Sequence, residues 1–433
     1  MRVALRDFFW GFIMEKIIYK SGCIISKKYK PGMEFCFQLA IPTKKVEKYA
    51  LLIEHDGLNE ANVQSMLRLA EESNAPYCIC VGVLPAKQVL ANGEKYDRRI
   101  NSYDLFNNEY ADFIVLELLP YIEKEYDIKF DENPDLHYIS GGSSGGISAF
   151  VIAWFHSEYF HRVYMSSPSF LSMGRGNELP YLIRKYETKP IKIYEEYSEN
   201  EPNDYFGASF PIDVETRMAL EFAGYDFSYE YFPNEGHCSR YGDYETAYKR
   251  NKWIWESYRE QTIVAPRNSP RIDIFISLDS KWEKTDCYPN KERIETELSK
   301  KYDKIIPSAD KQLLYVSNIA EDVVYSMVNK KGIQAEEHNV HAMLHTIPGI
   351  NPKGTLDMDI DVNDRLYVLT AIGIQCIRSF GLIDAILNLP EGKPLEICVM
   401  DYIFVKTDKG IYKRKLRPEY LKEKKRLFTS YYD

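Results

Sequence analysis

Residues 135–150, Asp-Leu-His-Tyr-Ile-Ser-Gly-Gly-Ser-Ser-Gly-Gly-Ile-Ser-Ala-Phe, constrain what this chain can fold into more than any other stretch. Leu136 to Ile139 predicts a short buried strand, and Gly145 onward predicts a helix of small and apolar residues. Between them lies Gly141-Gly-Ser-Ser-Gly145, a G-x-S-x-G pattern. A serine on a sharp strand-to-helix turn holds strained dihedrals, and side chains beside it would collide with neighbouring backbone. The result is an exposed hydroxyl at a helix N-terminus, where free N–H groups can stabilise an oxyanion. Two registers fit, one centred on Ser143 and one on Ser144. Ser143 is preferred, because the following Ser-Gly-Gly then opens a helix that can pack close to the sheet.

At 433 residues the chain is long enough for a large core and two domains. A net charge of −9 with no basic cluster excludes a phosphate-tracking surface, so no nucleic-acid partner is expected. The eight cysteines are scattered, several in apolar strand-like runs, and form no C-x-x-C pair. Buried reduced thiols are therefore expected rather than zinc ligands or disulfides. No run reaches the roughly 18 apolar residues of a membrane span. Phe8-Phe-Trp-Gly-Phe-Ile-Met14 is short for a signal core and lacks a small-residue cleavage site, leaving residues 1–15 as a leader of uncertain status, with Met14 as a second candidate start. The expected location is cytoplasmic, with no membrane partner.

Along the chain, Lys16–Lys20 and Glu34–Ala40 alternate as antiparallel strands do. Tyr49–Glu54 is a continuous apolar run that ends at His55-Asp-Gly57, as a central parallel strand should. Helices are expected over Asn62–Glu72 and Ala111–Tyr126, and strands over Tyr77–Leu84, Val163–Met165, Pro190–Tyr194 and Phe227–Phe232. This alternation predicts an α/β doubly wound, mostly parallel sheet over residues 16–261. Two prolines mark a linker at 262–276. From 277 to 433 the period becomes mostly two. Three paired units, beginning at Leu314, Leu366 and Ile403, suggest a β-rich, partial-propeller-like domain with too few blades to close alone.

A serine hydroxyl is a poor nucleophile until a base takes its proton, and that base is nearly always histidine. In a fold of this kind the order along the chain is serine, acid, histidine. His237, in the loop after the last core strand, stands where the base should be. The acid should follow strand Ile191–Tyr194, a region crowded with Glu195, Glu196, Glu199, Glu201 and Asp204. Glu201 is preferred, with Asp204 second.

Residues 16–260 resemble the esterase D / enterochelin-esterase-like family of α/β hydrolases. The resemblance rests on His55-Asp-Gly-Leu-Asn59, Arg99-x-x-x-Tyr103-Asp104, Glu117-Leu-Leu-Pro120, Gly141-Gly-Ser-Ser-Gly-Gly146, Ser167-Pro-Ser-Phe170, Gly224-Tyr-Asp226 and Gly236-His237. It implies Ser143 as nucleophile and His237 as base. It also implies an oxyanion hole built from the Asp56-Gly57 turn, through the amide of Leu58 or its neighbour, together with the amide of Ser144, with Arg99 in the substrate-binding region. The family's acid sits in an Asn-Asp or Asn-Glu pair, which falls here on Asn200-Glu201, though Pro202 departs from the pattern. The tail, Leu356–Leu416, resembles part of the gluconolactonase (senescence marker protein) propeller family, without a matching metal-ligand set. His338, His341 and His345 are the one metal-like cluster, and their spacing would need a helix where the pattern is loop and strand.

The expectation is thus a serine hydrolase of carboxylic esters acting on a small-molecule substrate, with an acylated sugar, phenolic or siderophore-like ester as the expected class, and with no cofactor and no metal. The alternative is a non-catalytic carbohydrate- or ligand-binding protein on the same scaffold. The tail is expected to bind or to assemble subunits into a homo-oligomer.

Overall fold

The computed structural model of the chain describes residues 16–266, 272–277, 280–290 and 297–417. The leader at 1–15, including the Met14 question, and residues 267–271 of the expected linker lie outside them. The described residues divide into two compact units, one of residues 16–180 with Lys189–Pro266, the other of Tyr181–Thr188 with those from 272 to 417.

In the first unit the strands are β1 (Ile17–Ile25), β2 (Met33–Pro42), β3 (Ala50–His55), β4 (Cys78–Val83), β5 (Lys87–Val89), β6 (Lys95–Asp97), β7 (His137–Gly142), β8 (Arg162–Ser166), β9 (Lys192–Asn200), β10 (Asn203–Asp204), β11 (Gly207–Ala208) and β12 (Asp226–Gly236). Sheet order is β12-β9-β8-β7-β3-β4-β2-β5-β6, with β1 on β2 and the short β10–β11 hairpin separate. From β12 to β4 every pairing is parallel, and β2 joins β4 antiparallel. This is an α/β-hydrolase-like core. All six residues of β3, and all six of β4, are buried, as strands covered by helices on both faces must be.

The alternating N-terminal segments do form an antiparallel pair, and its register sets Cys23 opposite Cys36. The two are joined as a disulfide, which corrects the expectation of reduced thiols for this pair. Thirteen residues apart in sequence, they are neighbours only because the hairpin closes. Cys78 and Cys80 are free and buried. The helix expected at 111–126 runs from Glu109 to Tyr126 but widens over Ile114–Leu118, where the Leu119 N–H reaches back to Ile114 O. Pro120 has no N–H for the next bond, and the wider turn absorbs the gap. The acid-rich stretch after Tyr194 is not a loop throughout: β9 continues to Asn200, and Glu195 and Glu196 are buried within it.

Among its described residues the second unit contains three four-stranded antiparallel sheets. The strands are β13 (Glu283–Thr285), β14 (Lys304–Pro307), β15 (Leu313–Ser317), β16 (Val323–Val328), β17 (Asn339–Met343), β18 (Asp357–Ile360), β19 (Leu366–Thr370), β20 (Gly373–Ile377), β21 (Ile383–Leu387), β22 (Pro394–Val399), β23 (Tyr402–Thr407) and β24 (Gly410–Lys415). β14–β17 and β18–β21 are meanders, while β22–β24 takes β13 as its fourth strand. The three expected hairpins are β15–β16, β19–β20 and β23–β24. Two carboxylates on β18 link sheets: Asp357 accepts from Ile397 N at 3.0 Å and Asp359 from Val399 N at 2.7 Å. Residues 181–188 belong to this unit through a Tyr186–Ile386 bridge and a Glu187 carboxylate that accepts from Asn388 N and pairs with Arg414 at 2.7 Å. No sequence pattern marked that excursion.

Candidate active site

Parallel pairing delivers the chemistry to one end of the sheet. Gly142 pairs with Ser166 across β7–β8, so Ser143 and Ser167 leave the sheet side by side. Asn200 pairs with Gly236 across β9–β12, so the next residues, Glu201 and His237, also emerge together. A register shift between Phe232 and Gly236 turns the chain just before the histidine. These are the carboxyl ends of the strands, where open α/β sheets place their ligands.

Ser143 takes φ 55° and ψ −127°, a conformation that L-residues seldom adopt. It survives because the backbone around it is crowded. A Cβ on Gly141 would lie 2.4 Å from the Gly145 backbone, and one on Gly145 would lie 2.9 Å from His55 Cβ. The helix Ser144–Phe155 begins at the next residue, and its first amide, Ser144 N–H, has no partner within the helix. The Ser144 side chain is buried, and Ser172 Oγ donates to the buried Asp104 at 3.5 Å; burial pushes that carboxyl up, with Ser144, Arg99 and Ser172 opposing it. That burial favours Ser143 over Ser144 as the hydroxyl open to a substrate.

His237 Nδ1 donates to Glu201 Oε2 at 2.5 Å, and the Glu201 side chain is 2% exposed. The imidazole is held up to about 10, first by the adjoining Cys238 side chain and then by Glu201, against the opposing effect of burial. Asp204 is elsewhere: it is exposed and accepts from Phe206 N in its own turn. The histidine loop is moored to the serine turn through one carbonyl. Ser166 O accepts from Ser143 N at 2.8 Å and from Cys238 Sγ at 3.5 Å, while Cys238 N donates to Ser167 Oγ.

The Ser143 hydroxyl is hydrogen-bonded to Ser169 Oγ at 2.9 Å rather than to the imidazole. On the opposite side Leu58 N–H is also occupied, donating to Gln38 Oε1 at 3.0 Å. Gly82 permits that turn to sit so low, since a Cβ there would lie 2.2 Å from Leu58 N. Asp56, at φ 65°, forms a bidentate pair with Arg99 at 2.8 and 2.9 Å, and Gly57 at φ 101° completes the turn. Asn59 then donates to Tyr241 O at 2.7 Å, tying this turn to the chain beyond His237. Sequence reasoning gave no role to Ser169, Gln38, Asn59 or Cys238. Ser169 and Asn59 stand in motifs that carry the family resemblance and Cys238 stands beside the histidine, but Gln38 gives no signal.

The remaining histidines serve the scaffold. His55 is buried, lowered to about 4 by desolvation, with Nδ1 against Ser140 O. His137 bonds two carbonyls, and His161 pairs with Asp135 at 2.6 Å. His338 contacts Tyr302 OH, whereas His345 Nε2 contacts Lys185, so the tail histidines have separate partners. Among the described residues no group of three or more His, Cys, Asp or Glu side chains is placed to hold a metal, and no helix is long and apolar enough to cross a membrane.

The sequence matches the family described as "Putative esterase" over residues 26–278, more than half of the chain, and the chain belongs to that family. Solved structures similar to it include a ferulic acid esterase (18% identity, TM-score 0.43, covering 55% of this chain and 98% of that one). Another is the enterobactin esterase FES from Shigella flexneri (17%, 0.41, 55% and 60%). A third is the siderophore hydrolase EstB from Aspergillus nidulans (14%, 0.41, 56% and 96%). No curated protein matches the chain.

Proposed function

We propose that the protein is a serine esterase working through an acyl-enzyme. Ser143 attacks the acyl carbon of a carboxylic ester while His237 takes the hydroxyl proton. Glu201 keeps the imidazole oriented and stabilises its charged form, and His237 then protonates the leaving alcohol. The Ser144 and Leu58 amides receive the oxyanion, and water activated by His237 releases the acid. Two local exchanges precede attack: Ser143 turns from Ser169 to His237, and Leu58 N–H trades Gln38 Oε1 for substrate oxygen. The observation that carries this reading is the His237–Glu201 bond, formed at the strand ends that also deliver the strained Ser143. No cofactor takes part.

The substrate class is a small or carbohydrate-linked acyl ester, phenolic and siderophore-like esters included. The second unit is a partial propeller-like module, supported by its three four-stranded sheets, that binds or assembles subunits. A disulfide persists in oxidising compartments, which weighs against the cytoplasmic expectation. A non-catalytic ligand-binding protein is the competing reading, and it draws on the occupied states of the Ser143 hydroxyl and the Leu58 amide.

Hydrolysis of p-nitrophenyl acetate and butyrate by wild type, Ser143→Ala, Ser144→Ala and His237→Ala separates the two. Turnover is expected to vanish in Ser143→Ala and His237→Ala while Ser144→Ala keeps a good share. Equal rates in all four proteins, or none in folded wild type, would overturn the esterase reading.

A further inference from the structure

The first unit has a concavity at the other end of the sheet from Ser143. Helix Tyr244–Ile254 begins just beyond His237 and returns along the sheet, so its last turn lies at the amino ends of the strands. Helix Glu60–Glu71 likewise starts after the carboxyl end of β3 and brings Ser73 and Asn74 to the same end. Between these chain segments and β12 lies a cleft of about 680 Å³, within the range of roughly 300–1,000 Å³ usual for small-ligand sites.

The lining is built rather than incidental. Trp253 is braced by Lys192, whose Nζ sits 4.1 Å over the ring, and by Tyr194, edge-on at 5.5 Å. Glu230 is fixed by Lys249 at 2.5 Å and by the Tyr194 hydroxyl at 2.7 Å. Tyr258 stands edge-on to Trp255 at 6.0 Å. Aromatic rings thus border carboxylates, ammonium groups and an amide, with Trp253 and Glu230 held in place by their neighbours.

The charges decide the ligand. Glu230, Glu256 and Glu260 line it together with Lys249, Lys252 and Arg259, three acids and three bases, so the lining carries no net formal charge. A wholly apolar ligand would desolvate those charged groups without offering them a hydrogen bond. A polyhydroxylated ring satisfies both demands, its C–H face against an aromatic ring and its hydroxyls paired with carboxylate, guanidinium and amide. We propose that this cleft binds a neutral oligosaccharide, anchoring a glycan at the end of the sheet opposite the serine. The site stands apart from the esterase reading and does not depend on it.

Titration of the full-length Ser143→Ala protein with maltohexaose, cellohexaose and xylohexaose, by calorimetry and tryptophan fluorescence, tests this. At least one sugar is expected to bind saturably, and Trp253→Ala to weaken it by roughly tenfold or more. Should Trp253→Ala fail to fold, Lys252→Ala combined with Glu256→Ala, both exposed at the rim, is expected to weaken the same sugar. On the Ser143 background Trp253→Ala should leave p-nitrophenyl acetate hydrolysis unchanged, so a lost esterase and a lost glycan site give different results. No saturable binding of any of the three sugars, or binding indifferent to both variants, would overturn the proposal.

Discussion

The two halves of the candidate site are held by different forces. The serine half is a matter of backbone volume. Gly141 and Gly145 leave no room for a side chain, and Ser143 is locked into a left-handed conformation between a buried strand and a buried helix. The histidine half rests on hydrogen bonds. His237 is a third exposed at its side chain and sits after an irregular strand end. It is positioned by Glu201 on one nitrogen and by the anchoring of Cys238 to Ser166 and Ser167. Steric locks tolerate almost no substitution, whereas a hydrogen-bonded loop can be retuned one partner at a time.

The sharpest way to break this comparison is at the acid. Glu201→Gln keeps the shape but removes the charge that stabilises the imidazolium, and kcat is expected to fall by about 10³–10⁴, as for other triad acids. Asp204→Asn, exposed and turned into its own loop, is expected to stay near wild type. Steady-state hydrolysis of p-nitrophenyl acetate by both variants is the check. Equal losses would show that the histidine half does not depend on the short bond to Glu201.

The same contrast explains what could be read from sequence. The serine turn is local: strand, glycines and helix lie within nineteen consecutive residues, and each expectation about them concerned neighbours in the chain. Core strands such as Ala50–His55 were equally readable, because burial on both faces demands an unbroken apolar run. The acid had two candidates because Glu201 meets His237 only through the β9–β12 register, a pairing between strands 36 residues apart. The Cys23–Cys36 disulfide was missed for a related reason, since scattered spacing says nothing about cross-strand partners. Residues 181–188 were assigned to the wrong neighbourhood altogether, because one edge bridge and the buried Glu187–Arg414 pair leave no periodic trace in the sequence.

Cys238 offers a finer adjustment. A base must be neutral to accept the serine proton, and His237 is held up to about 10, first by Cys238 and then by Glu201. Activity is therefore expected to rise with pH well beyond the usual histidine range, because deprotonation of the imidazole comes late. Cys238→Ala removes the first of those influences, so the acid limb of kcat/KM against pH should move to lower pH while the alkaline plateau changes little. A limb that stays in place would mean that Glu201 alone sets the titration of the base.

The smallest expected effect concerns Ser169. Its hydroxyl holds Ser143 Oγ at 2.9 Å in a rotamer that is not bonded to the imidazole. Every turnover must first give up that bond. A neutral hydrogen bond of this kind contributes about 1 kcal/mol net, enough to keep roughly four-fifths of the molecules in the resting rotamer. Ser169→Ala is then expected to raise kcat/KM by about two- to fivefold, with the labelling rate by a fluorophosphonate rising in parallel, because both report how often the hydroxyl faces its base. A fall in both rates would assign Ser169 the opposite role, a group that positions the nucleophile during attack. The serine half would then depend on a hydrogen bond as well as on its glycines, and the division between a steric half and a hydrogen-bonded half would no longer hold.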